Sequence, residues 1–130
     1  VVTLMDANVL IAFLFADHEH HRTVVRWWGD GRGVSTCPIT EGALVRYALR
    51  VGLSVPEVLE LVGGLFASEH HHRWGCDVHF DADVLTGVVG HRQVTDAYLV
   101  ALARSKRGSL ATFDRGIAEL RPGLVELLVA

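Results

Sequence analysis

Val1-Val2-Thr3-Leu4-Met5-Asp6-Ala7-Asn8-Val9-Leu10-Ile11-Ala12-Phe13-Leu14-Phe15 begins as a β-branched and apolar run and stops abruptly at an acid. From Asn8 to Phe15 the apolar residues suffice for a helix buried on most sides. The stretch therefore predicts strand, acidic turn, helix, and the chain beyond it repeats that alternation. His18 to Trp28 reads as a second helix, with Val24, Val25 and Trp28 at helical spacing, and the Gly29–Gly33 segment stops it. Gly33 to Cys37 is a short strand, and Pro38 opens a helix that runs to about Val51 before Gly52.

Ser54 and Glu57 form a capping box ahead of Val58, Leu59, Leu61, Val62, Leu65 and Phe66, an amphipathic helix weakened by Gly63 and Gly64. Arg73 to Val78 is the next strand candidate, and a short helix is expected near Asp83 to Val88. Thr95 can cap a helix whose core face is Leu99, Val100, Leu102 and Ala103, with Arg104, Lys106 and Arg107 at its negative dipole end before Gly108. Ser109 to Phe113 is a strand broken by Asp114, Ile117 to Leu120 a short helix, and Leu124 to Val129 a last strand. Strands alternating with helices in this way define an α/β class with a mostly parallel sheet covered on both faces.

At 130 residues the expectation is one domain spanning 1–130, with half of the residues apolar and no long polar tract. No apolar run is long enough to span a bilayer and no leader pattern opens the chain, so a cytoplasmic protein without a membrane partner is expected. Cys37 and Cys76 fit no structural zinc spacing and are read as ordinary buried thiols. The net charge of -3 argues against non-specific nucleic-acid binding, so any such role must depend on a local site.

Sites in open α/β sheets form outside the carboxyl ends of the strands. Asp6 and Asp114 each follow a strand directly, and parallel strands carry both to one edge. Asp96 shares a helix face with Leu99, Val100 and Ala103, and Glu41 stands in the same relation to Leu44, Val45 and Ala48. Four acids from separate segments are thus expected to point towards the interior or its rim, where mutual repulsion calls for a compensating cation. Oxygen ligands select Mg2+ or Mn2+, and such an ion suits phosphodiester hydrolysis by an activated water. Singly each acid has a plainer reading. Asp96 could be a helix-dipole acid, Asp6 and Asp114 turn residues, and Glu41 a solvated acid of a first helical turn.

In order and spacing, Asp6-Ala7-Asn8-Val9-Leu10-Ile11, Pro38-Ile39-Thr40-Glu41, Val94-Thr95-Asp96-Ala97-Tyr98-Leu99 and Ala111-Thr112-Phe113-Asp114-Arg115-Gly116 resemble PIN domains, VapC toxins above all. The resemblance runs from Val1 to the final strand. It implies a three-layer α/β/α, Rossmann-like domain with about five parallel strands. It further implies a magnesium or manganese site built by Asp6, Glu41, Asp96 and Asp114, with Asn8 and Thr112 as polar supports, and endoribonuclease activity on structured RNA such as tRNA or rRNA. On this reading Asp6 and Asp96 hold the principal ion, Glu41 and Asp114 complete its shell or grip a second one, and the products carry 5′-phosphate and 3′-hydroxyl ends. The partners implied are a VapB-type antitoxin and a second copy of the chain.

Arg46, Arg50, Arg92 and Arg115 lie near the acidic blocks and could meet RNA phosphates, or be solvated helix charges. His70-His71-His72, placed near a helix end, are expected to fan around the axis as solvated groups, and His18 and His21 to lie at the surface. Adjacent helical residues diverge by about 100°, so one of Trp27 and Trp28 should be buried and the other free for a dimer or antitoxin interface. Two rival functions remain open. One is a magnesium-dependent phosphatase or phosphotransferase with Asp6 as nucleophile, disfavoured because no lysine lies near the blocks; the other is a non-catalytic interaction module.

Overall fold

The computed structural model of the chain describes residues 1–29 and 31–129; Asp30, inside the expected Gly29–Gly33 stop, and Ala130 lie outside them. The first strand, β1 (Val2–Met5), occupies the middle of a five-stranded sheet. Its alternation sorts side chains onto opposite faces: Leu4 packs with the core on one side, Met5 with the core on the other. Asp6 ends the strand and caps α1 (Ala7–Leu14), followed by α2 (His21–Trp28) and β2 (Gly33–Thr36). Next come α3 (Pro38–Arg50), α4 (Val55–Phe66) and β3 (His71–Arg73). The second half consists of α5 (Ala82–Leu85), a 3₁₀ turn at His91–Gln93, α6 (Val94–Ser105), β4 (Ser109–Thr112), α7 (Arg115–Leu120) and β5 (Val125–Leu127).

The strands run parallel in the order β3-β2-β1-β4-β5. The chain therefore builds outward from β1 in one direction, returns, and builds outward in the other. The two neighbours of β1 come from different halves of the sequence, which opens a crevice at the carboxyl end of β1 and β4. Helices cover both faces. Val9, Val24, Leu44, Val62 and Leu65 close one core from α1, α2, α3 and α4, while Leu99, Leu102 and Ala103 of α6 pack on Leu4 and Leu110 in the other.

The α/β expectation holds, as does the capping box of α4, where Ser54 and Glu57 bond each other's backbone N–H. Several boundaries differ. Residues 74–80 form no regular structure, and the strand lies earlier, at His71–Arg73, because Val34, Ser35 and Thr36 of β2 pair with it in register. His71 and His72 thus lie in a strand and His70 in the turn before it, not around a helix axis. The short helix stops at Leu85, with Asp81 accepting from Val84 N–H. The last strand covers only Val125–Leu127. Thr95 is no cap: a 3₁₀ turn leads directly into Val94, and the Gln93 side chain instead accepts from the N–H groups of Val89 and Gly90.

At the other end of α6 the left-handed residue is Arg107, with φ +60°, and not Gly108. Gly108 is required for another reason: a Cβ there would collide with the Val2 carbonyl, so the helix end can lie against β1 only without a side chain. Trp27 and Trp28 are each half-buried and engaged within the chain. Trp28 stacks on Phe13 at 4.2 Å between ring centroids, and Trp27 donates to Glu126 Oε1 at 2.7 Å beneath the Arg32 guanidinium. Neither is left as a free anchor. Cys37 is buried, but Cys76 is exposed, contrary to expectation. Val45 is exposed as well, so the inward face of α3 is Leu44 and Ala48.

Candidate active site

Asp6 and Asp114 end neighbouring strands, and β1 and β4 pair as Thr3–Ser109, Leu4–Leu110 and Met5–Ala111. Register alone therefore brings the two acids to one edge. Asp6, only 9% exposed, uses both oxygens: Oδ1 accepts from Ala7 N–H at 2.7 Å and Oδ2 from the Thr112 hydroxyl at 2.7 Å. Thr112 is fully buried and also accepts from Asp114 N–H at 3.1 Å, so one hydroxyl ties both acids to the end of β4. Asp114 is exposed and caps α7, its Oδ1 accepting from Gly116 N–H at 2.7 Å.

Asp96 completes this group from the first turn of α6, where Leu99, Val100 and Ala103 fix the inward face. Burial, reinforced by the charges of Asp6 and Asp114, pushes its carboxyl up to about 7. Burial also raises Asp6; Asp114 adds to that rise, and the bonds from Thr112 and Ala7 oppose it. The three aspartates therefore share one electrostatic environment. None takes part in an ion pair among the described residues.

Glu41 is held differently. It starts α3 just beyond β2, at the same edge of the sheet, but its Oε2 accepts from the Thr36 hydroxyl at 2.7 Å and its Oε1 meets Arg73 Nη2 at 3.2 Å. It is not among the charges that raise Asp6 or Asp96. It lines a groove of about 180 Å³ with Leu10, Leu44, Val58 and Arg73. Sequence reasoning missed Thr36, five residues before Glu41 at the end of β2, and His71 and Arg73, which become neighbours of Glu41 only through the pairing of β2 with β3. A larger cavity of about 320 Å³, between α5 and α6, is lined by Val84, Val100, Ala101 and Arg104 and by none of the four acids.

Asn8 is exposed and makes no side-chain hydrogen bond among the described residues. Arg46, Arg50, Arg92 and Arg115 are all exposed. His21 is half-buried and joins α2 to α1 through Nδ1 and the Ala12 carbonyl at 2.8 Å. Lys106, the sole lysine, bonds Asp77 at 2.7 Å.

Among the described residues, no three His, Cys, Asp or Glu side chains are gathered closely enough to enclose an ion as they stand. The donor chemistry of the aspartate group nevertheless fits a hard dication. Its donors are carboxylate oxygens, it holds no cation of its own, and desolvation together with like charge raises two of its three acids, a penalty that bound positive charge would remove.

A parallel α/β/α sheet with aspartates clustered at the carboxyl end of its central strands defines an acid-lined α/β domain, and the PIN-domain family model matches residues 3–121. Ribonuclease VapC29 of Mycobacterium tuberculosis is 43% identical over 129 residues, covering 98% of this chain and 97% of that protein. Ribonuclease VapC38 of the same organism is 35% identical over 138 residues, covering 98% of each. The chain belongs to the PIN-domain family, in its VapC branch. The fold agrees. The crystal structure of Mycobacterium tuberculosis VapC20, described as a Sarcin-Ricin loop cleaving toxin, superposes with a TM-score of 0.71 at 17% identity, covering 99% of this chain and all of that one. VapBC2 from Rickettsia felis, bound to a DNA fragment from its promoter, gives 0.65 at 8% identity, with the same coverage.

Proposed function

We propose that this chain is a divalent-metal-dependent endoribonuclease, the toxin of a toxin–antitoxin pair, which cleaves structured RNA such as tRNA or rRNA and is held inactive by a VapB-type antitoxin. The observation that carries this reading is the un-neutralised group Asp6, Asp96 and Asp114 at the carboxyl edge of β1 and β4. The ribonuclease names of relatives alike over almost the whole chain support it.

Asp6, Asp96 and Asp114 would hold Mg2+ or Mn2+, with Glu41 as a fourth carboxylate at the rim. A bound ion supplies Lewis acidity, neutralising charge at the scissile phosphate and making a water acidic enough to react near neutral pH. The chain's own residues do the positioning. Thr112 fixes the rotamer of Asp6, and the N–H groups at the start of α7 fix Asp114. Arg46, Arg92 and Arg115 would meet phosphates, giving local attraction despite the net charge of -3, and Asn8 would add a polar contact at the mouth of the site. A homodimer is part of the proposal.

The test is to incubate the purified chain with total RNA in Mg2+ or in chelator and to sequence the new 5′ ends. Cleavage at discrete positions, dependent on metal, abolished by Asp6→Asn and leaving 5′-phosphates, is expected. Cyclic phosphate ends, or full activity of Asp6→Asn, would refute the assignment.

A further inference from the structure

Glu41 is the one acid of the four whose surroundings come from an edge strand. Thr36 Oγ1, fully buried at the end of β2, lies 2.7 Å from Glu41 Oε2 and 2.8 Å from His71 Nε2. A hydroxyl has one hydrogen to give. Glu41, paired with Arg73, is a carboxylate and can only accept, so Thr36 must donate to it and must accept from His71. We propose that His71, acting through Thr36, is a positioning residue for Glu41: its Nε2–H fixes the hydroxyl, and the hydroxyl fixes the carboxylate.

The rest of the ring's environment agrees. His71 Nδ1 is buried without a partner, a smaller cost for a bare lone pair than for an N–H. Burial keeps the imidazole pKa below its ordinary value, with Arg73 and His72 in the same direction and Glu41 opposing, which favours a neutral ring with one proton. Phe66 stacks on the ring at 5.4 Å between centroids, and the Arg73 guanidinium sits 4.0 Å from the Phe66 centroid, so the orientation is held by packing as well. Ligating carboxylates in ion-binding sites are themselves hydrogen-bonded, and the partners behind them set their direction.

The inference rests on Glu41 belonging to the proposed metal site, and the experiment separates the two. Nitrogen-15 NMR of the imidazole reads the tautomer directly, calorimetry with Mn2+ reads affinity, and initial rates against total-RNA concentration separate kcat from KM. The proton is expected on Nε2. His71→Phe and Thr36→Val should each weaken Mn2+ binding and lower kcat by about tenfold, with KM for RNA changed by less than about twofold. His71→Gln returns an N–H donor and Thr36→Ser returns the hydroxyl, so both should recover to within about threefold of the parent chain. Thermal melting confirms that each variant is folded. A proton on Nδ1, folded Gln and Ser variants no better than Phe and Val, or unchanged Mn2+ affinity in His71→Phe would overturn the relay. Loss of Mn2+ affinity with rescue, in a parent chain that cuts no RNA, would support the relay and refute the nuclease reading instead.

Discussion

Replacing Asp96 with asparagine should make the metal-free protein more stable while disabling it. Asp96 carries a carboxyl raised from 3.8 to about 7, first by burial and then by Asp6 and Asp114. A folded pKa above the unfolded one means that the native state binds the extra proton. Stability is therefore fully present below about pH 4 and is lost as pH rises through about 7. The whole shift corresponds to about 4 kcal/mol, and because Asp96 is only partly buried, screening leaves about 1–2 kcal/mol. Asparagine keeps the shape and carries no charge. In chelator at pH 8 the variant should melt about 3–8 °C higher than the parent chain, and at pH 4 the two should coincide. Added Mg2+ should raise the parent's melting temperature more than the variant's, because only the parent has that charge to neutralise. Circular dichroism melts at pH 4 and 8, with chelator and with Mg2+, are sufficient. A variant no more stable than the parent at pH 8 in chelator would refute the view of the aspartate group as a strained, cation-seeking cluster.

Arg107→Gly should stabilise the chain by about 1 kcal/mol, since glycine takes the observed left-handed φ without penalty, and a denaturant midpoint at unchanged slope measures it. Gly108→Ala should do the opposite, lowering the melting temperature, because the added methyl meets the Val2 carbonyl and forces α6 away from β1. Leu110→Ala, at a fully buried position shared with Leu4 and Leu99, should cost about 2–5 kcal/mol in urea unfolding. Glu126→Ala should cost about 1 kcal/mol and shift the tryptophan emission, because Arg32 and the Trp27 indole both lose their acceptor.

The parts of this architecture that could be read from the chain are those where apolar pattern and chemistry coincide. Leu4 and Met5 ahead of Asp6, and Leu110 and Ala111 ahead of Asp114, announce buried strands ending in acids, and the strand ends are where the sheet places its crevice. Glu41 could be named, but not its company. His71, His72 and Arg73 carry no apolar alternation, since β3 is a half-exposed edge strand specified by its pairing with β2 and not by burial. Consequently His71 and Arg73, which flank Glu41 and its Thr36 partner, come from a register that no local pattern encodes. The start of α6 misleads for a similar reason. Thr95 offers capping chemistry, yet a 3₁₀ turn supplies the entry one residue earlier and leaves that side chain exposed.

Of the five strands, the central one comes first in sequence order, while the hydroxyl that locks Asp6 belongs to Thr112, 106 positions later. During synthesis the amino-terminal acid must wait, without its anchoring partner, until β4 has left the ribosome and docked beside β1. A growing chain of this kind cannot assemble its full set of carboxylates early. On the proposed nuclease reading, a nascent copy that has not yet added α6 and β4 would hold no complete site.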